Sequence, residues 1–168
     1  MSARTVTPVS PASRTIAPFI AKYTPDIAAQ VKAARIRMHE VFPRGFELVY
    51  DNYNALVFAF SPTERSSEAF LSVAGYPQWV NLFFSHGAGL SDPARLLQGS
   101  GSRVRSIRLR SAEQLLEPAI QTLILQAMQP HQEALLRAKP LQTIIKAISA
   151  KQRPRRPSGS AAKVQNAA

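Results

Sequence analysis

Tyr76-Pro77-Gln78-Trp79-Val80-Asn81-Leu82-Phe83-Phe84-Ser85-His86-Gly87-Ala88-Gly89-Leu90-Ser91-Asp92-Pro93 decides the fold. It sets the only tryptophan at the head of an apolar run that ends in a glycine-rich turn. Strand alternation sends Val80, Leu82 and Phe84 to one face and Trp79, Asn81 and Phe83 to the other. Both faces are largely apolar, which predicts a central strand covered on both sides. Gly87 and Gly89 open backbone angles that other residues avoid, and Asp92-Pro93 starts the next turn.

Upstream, residues 69–74 pair with 78–84 as a hairpin around Gly75-Tyr76-Pro77. An earlier hairpin joins Phe46, Leu48 and Tyr50 to 56–60 across the turn Asp51-Asn52-Tyr53-Asn54. Residues 102–110 make a fifth strand. Before the sheet, Thr24 is a suitable N-cap, Pro25 suits the first helical position and Asp26 suits the positive end of the dipole. Ile27, Val31, Ala34, Met38 and Val41 form one apolar stripe behind them. After the sheet, Pro118 opens a helix with Ile120, Leu123, Ile124 and Ala127 inward. Leu141, Ile144, Ile145 and Ile148 predict a further helix beyond the break at Pro140. The order predicts an α+β fold: an antiparallel meander sheet of about five strands, packed by an N-terminal helix and C-terminal helices.

The chain has 168 residues, 45% of them hydrophobic, and no cysteine. That is enough for one domain with a hydrophobic core, and it removes disulfides, thiolate metal sites and a cysteine nucleophile. No run reaches the roughly 20 apolar residues that span a bilayer. Residues 1–18 lack the apolar segment of a secretory signal, so a cytoplasmic protein with no membrane partner is expected.

The formal charge is +11, but it is unevenly spread. All ten acids lie within 21–150 beside fourteen Lys and Arg, leaving +4 there. Arg4 and Arg14 sit in a leader, 1–18, rich in Ser, Thr, Pro and Ala. Lys151, Arg153, Arg155, Arg156 and Lys163 sit in a Pro-, Arg- and Ser-rich tail, 151–168. Both ends read as disordered, flanking a domain over 19–150.

Several segments together resemble the YdhG-like family of small bacterial domains of unknown function. They are Ala21-Lys22-Tyr23-Thr24-Pro25-Asp26, Val49-Tyr50-Asp51-Asn52-Tyr53-Asn54-Ala55-Leu56, Tyr76-Pro77-Gln78-Trp79-Val80 and Gly87-Ala88-Gly89-Leu90-Ser91-Asp92-Pro93. Leu96-Leu97-Gln98-Gly99-Ser100-Gly101 with Val104-Arg105 completes the set, and the likeness covers roughly 20–128. Some members are described as frataxin-like, which implies iron delivery through an acidic ridge on the first helix. Here that helix offers Asp26 and Glu40 against Lys32, Arg35 and Arg37. A net basic helix repels a hard cation that needs clustered oxygen ligands, so the iron role is disfavoured.

Candidate site residues follow from chemistry. Tyr76, Trp79, Asp51, Asn52 and Tyr53 offer aromatic walls and a few polar groups for a small-ligand pocket. Arg103, Arg105, Arg108 and Arg110 lie on one acid-free strand as an anion grip, or as charges that guard a sheet edge. Arg105 falls within the family-like motif and is the preferred anion ligand, or the partner of a buried acid such as Glu47. His39, His86 and His131 lie on different elements and suggest no metal site. No nucleophile–base pair, paired acids, catalytic set or cofactor motif emerges. The expected function is a non-enzymatic binding protein for a small anionic ligand or a protein partner. The alternatives are nonspecific nucleic-acid binding through the basic tail, and iron delivery.

Overall fold

The computed structural model describes residues 11–157. Helix α1 (Pro11–Ile20) precedes helix α2 (Pro25–Val41). Strands β1 (Phe46–Asp51), β2 (Leu56–Ser61), β3 (Leu71–Gly75), β4 (Val80–Phe84) and β5 (Arg105–Leu109) follow. A 3-10 turn (Ala112–Leu116) leads into helices α3 (Pro118–Met128) and α4 (Gln132–Arg137), and strand β6 (Gln142–Ile148) closes the order. The sheet runs β5-β4-β3-β2-β1-β6. The meander β1 to β5 is antiparallel throughout, while β6 lies parallel to β1.

The expected α+β class holds, and the sheet is mixed and six-stranded. Residues 142–148 form a strand, not the helix that the apolar spacing suggests. Thr143-Ile144-Ile145 is a β-branched run, which packs well on a pleated surface and loses side-chain freedom in a helix. The chain is also zipped into place beforehand. Gly45 N–H donates to the Lys139 carbonyl, Leu141 N–H to Pro43 and Gln142 N–H to Gly45, each at 3.0 Å. A bulge after Val49 skips Lys146, whose ammonium reaches the Glu64 carbonyl at 2.9 Å.

Alternation sorts the meander as expected on its inward face. Val49, Phe58, Val73, Leu82 and Ile107 share one row of the ladder and are all buried. Val31, Ala34 and Met38 of α2 press on that face, joined by Ile120, Leu123 and Ile124 of α3. The opposite face of β4 is only partly covered, with Asn81 and Phe83 half-buried, so the strand is sealed on one side only. β5 lies at the sheet edge, where its charged side chains guard against stray pairing.

The ends of the chain need correction. Residues 11–18, read as disordered leader, belong to α1, which buries Ile16 and Phe19 against the core. Residues 151–157 are also ordered, and Arg155 is buried. Residues 1–10 and 158–168 lie outside the described residues.

Because β6 covers its outer edge, β1 is internal and can carry two buried carboxylates, Glu47 and Asp51. Glu47 accepts from Arg35 Nε at 3.0 Å and Nη2 at 2.7 Å, from Thr143 Oγ1 at 2.8 Å, and meets His39 Nε2 at 2.6 Å. Burial alone would push its pKa up. The hydrogen bonds from His39 and Arg35 and the guanidinium charge outweigh that, holding it at about 2 against an ordinary 4.5. The folded chain keeps Glu47 ionised where the unfolded chain takes a proton. Its contribution is therefore complete above pH 4.5 and lost as pH falls toward 2, on the order of 3 kcal/mol in all. Urea midpoints followed over that window should converge for wild type and Glu47→Gln as pH drops. A constant gap between the two would contradict this assignment.

Candidate functional site at the Trp79 turn

One end of the sheet collects the rungs Asp51–Leu56, Leu56–Gly75, Gly75–Val80 and Val80–Leu109, with Ile148 of β6 beside Asp51. The β1–β2 turn, the β3–β4 turn and the exit from β6 therefore share that end. The chain leaving β6 crosses it as a strap over residues 149–157. Ser149 N–H donates to the Asp51 carbonyl at 2.9 Å and Arg153 N–H to the Tyr53 carbonyl at 2.8 Å. The Gln152 amide reaches the Asp51 carbonyl at 3.2 Å.

Arg155 then turns inward. Its Nη2 lies 2.9 Å from Asp51 Oδ1 and also donates to the Asn52 carbonyl, and its guanidinium sits 5.7 Å over the Tyr23 ring. Asp51 Oδ2 takes the Lys22 ammonium at 2.5 Å, and Lys22 also holds Gln152 Oε1 at 2.9 Å. A carboxylate with no exposed side-chain surface thus has one cation on each oxygen. A buried charge persists only when paired and hydrogen-bonded in this way. Among the described residues, Arg155 Nε and Nη1 are buried with no hydrogen-bond partner. Beneath them the Tyr23 hydroxyl donates to the Gly75 carbonyl at 2.5 Å and accepts from Leu56 N–H at 3.0 Å. Burial raises the Tyr23 pKa, and the Arg155 charge opposes that rise. The segment after α1 is tied in this way to both hairpins and to the strap.

Trp79 is half-buried at the neighbouring turn, which Tyr76 N–H closes on the Trp79 carbonyl at 2.8 Å. Tyr76 stacks on the indole with ring centroids 5.3 Å apart and 24° between planes. Arg108 lies opposite Asn81 in the ladder, and its guanidinium sits 4.3 Å above the indole centroid. The flat surface of Trp79 is thus engaged by its own neighbours. The Trp79 turn and the strap enclose a cavity of about 360 Å³. Pro77, Gln78 and Trp79 line one side; Arg153, Pro154, Arg156 and Pro157 line the other. No acid lines it, and among the described residues neither Arg153 nor Arg156 has an acidic partner. The cavity offers donors and short apolar walls, which is an environment for a small anion.

Of the candidate residues, Tyr76, Trp79 and Arg108 come together here. Asp51, Asn52 and Tyr53 lie behind the strap and hold it, through one carboxylate and three backbone carbonyls, rather than lining the cavity. Arg105 belongs elsewhere. It pairs with Phe84 at the far end of β4, and its Nη1 donates to the Gly101 and Val104 carbonyls at 2.6 and 2.8 Å. Nor is it the partner of Glu47, which Arg35, His39 and Thr143 occupy. The glycine turn matters there for space, not for angle. A Cβ on Gly87 would stand 2.5 Å from Arg105 Cβ, while Gly87 keeps ordinary backbone angles. Arg103 contributes its carbonyl to Ala88 N–H, and exposed Arg110 faces Glu117 at 3.5 Å.

Two of the histidines, on different elements, come together in space. His86 and His131 both line a cavity of about 280 Å³, where His131 stacks on Phe70 at 4.6 Å. Burial and the nearby His86 lower the His131 pKa, with Glu68 opposing. Among the described residues no three His, Cys, Asp or Glu side chains could together hold a metal ion. Also among them, no helix is long and apolar enough to cross a membrane.

Comparison with protein-family models, with curated proteins and with solved structures returns no match.

Because Trp79 is the only tryptophan, its emission reports this site alone. Arg108→Ala removes an exposed cation from the ring and should shift that emission while lowering stability by about 0.5–1 kcal/mol. An unchanged spectrum would show that Arg108 does not sit on the indole in solution.

Proposed function

We propose that this chain is a YdhG-like domain acting as a non-enzymatic binding protein for a small anionic ligand, held between the Trp79 turn and the strap. The observation that carries this is the acid-free cavity lined by Arg153 and Arg156. Two guanidinium groups without acidic partners can meet an anion with charge-assisted hydrogen bonds at little cost in broken pairs. Pro77 limits the motion of the sheet-side wall. Anionic chemistry is favoured over iron because the acids nearest such a role are already paired: Glu40 with Arg37, and Glu47 with Arg35.

A nucleic-acid role for the tail has less to draw on than its composition suggests. Arg155 is withdrawn into the protein, and Trp79 is flanked by Tyr76 and Arg108 rather than free to stack on a base.

Thermal shift with inorganic phosphate and small carboxylates tests the proposal. At one hundred times Kd, binding adds about 2.7 kcal/mol, a rise in Tm of roughly 5–10 °C for a domain of this size. The response should vanish in the double variant Arg153→Gln, Arg156→Gln and persist in Arg105→Ala. Equal responses from wild type and the double variant would reject the site.

A further inference from the structure

We infer that the strap is the closing wall of the anion pocket, and that anion binding and docking of residues 149–157 are thermodynamically coupled through the Asp51–Arg155 pair. This deepens the reading of the pocket given above and rests on it. Both cationic groups of the cavity belong to the strap, whereas Pro77, Gln78 and Trp79 belong to the sheet. Neither half encloses the cavity alone. An anion that needs Arg153 and Arg156 beside the Trp79 turn therefore meets its site only when the strap is docked. By linkage it must then favour docking by the same factor.

The strap is built to be the movable half. It follows β6, an edge strand whose Ile148 is more than half exposed, and among its residues 149–157 only Arg155 is buried. Its attachments include Ser149 and Arg153 N–H to carbonyls of the β1–β2 turn, Gln152 to Lys22 and the Asp51 carbonyl, and Arg155 to Asp51, Asn52 and the Tyr23 ring. Segments with few buried apolar contacts open before the rest of a domain does. Arg155 is the contact whose loss releases the strap while sparing the body, because Asp51 keeps Lys22 at 2.5 Å. Asp51 and Arg155 are positioning residues, since neither lines the cavity.

Amide exchange followed by NMR on the full chain tests this, with inorganic phosphate as the probe. The Ser149 and Arg153 amides report docking directly, and the amides of β3 report the body. Phosphate should slow exchange at Ser149 and Arg153 by the factor one plus its concentration over Kd, about 100-fold at one hundred times Kd. Arg155→Ala should speed exchange at both positions at least tenfold and leave β3 unchanged, with the phosphate Kd rising as the reciprocal of the docked fraction. Arg153→Gln should keep slow exchange at Ser149, because only its backbone holds the strap, yet lose the response to phosphate. Should Arg155→Ala fail to fold, Arg155→Lys takes its place, keeping a cation at Asp51 while losing the fork that also reaches Asn52. Phosphate that binds without slowing either amide overturns the coupling. Phosphate that does not bind, with a strap that Arg155→Ala still releases, overturns the pocket itself and the coupling with it.

Discussion

The carboxylate of Asp51 is the constraint from which this end of the molecule follows. It ends an internal strand with no exposed side-chain surface, and such a charge is tolerable only with its oxygens occupied. Lys22 comes from the segment after α1 and Arg155 from the segment after β6, so one buried acid draws both ends of the described chain to the same place. The order of causes matters. β6 must first cover the outer edge of β1, because an edge strand would leave Asp51 in water and remove the demand for partners. The parallel pairing of β1 and β6 is thus the condition for the charge cluster, and the cluster is the condition for the strap.

Glu47, four residues earlier on the same face of β1, answers the same demand differently. Its partners Arg35 and His39 come from α2, one helical turn apart, and its third partner Thr143 comes from β6. Both acids therefore depend on the parallel edge strand, but Glu47 locks a helix to the sheet while Asp51 locks a terminal segment. Helix α2 is held as well by Val31, Ala34 and Met38 in the core, so the Glu47 cluster adds to packing already present. The strap has no such support. The polar contacts of the Asp51 cluster tie it to the sheet.

Legibility in sequence followed the strength of local signals. The five strands of the meander were readable because alternation in segments such as Val80-Asn81-Leu82-Phe83-Phe84 coincides with burial. Helix α2 was readable from one apolar stripe and Pro25. β6 was misread because Leu141, Ile144, Ile145 and Ile148 satisfy a helical spacing, and the deciding factor is a long-range pairing with β1. The β-branched Thr143-Ile144-Ile145 was the signal that could have tipped the reading. At the site, Tyr76, Trp79 and Asp51 were found through their residue types, whereas Arg153, Arg155 and Arg156 were set aside as tail. Composition reads a Pro- and Arg-rich segment as unable to form a core, and that is true of it. The strap is ordered by a buried acid 104 residues away, which composition cannot register. The helix α1 was missed for a related reason: it contributes Ile16 and Phe19, too few apolar residues to stand out among Ser, Thr and Pro.

The net charge of +11 takes on a different meaning once partners are assigned. Lys22, Arg35 and Arg155 are consumed by buried acids, Arg105 by carbonyls of its own loop, and Arg108 by the Trp79 ring. A cation already satisfied inside the protein contributes little to capturing a ligand, because binding must first replace the contacts it holds. Arg153 and Arg156 have no acidic partner among the described residues, and they line the cavity beside Trp79. The proline-flanked strap presents them while its neighbour Arg155 supplies the anchoring. Three arginines within four residues divide into one that holds the segment and two that face the cavity, and the buried position of Asp51 makes that division.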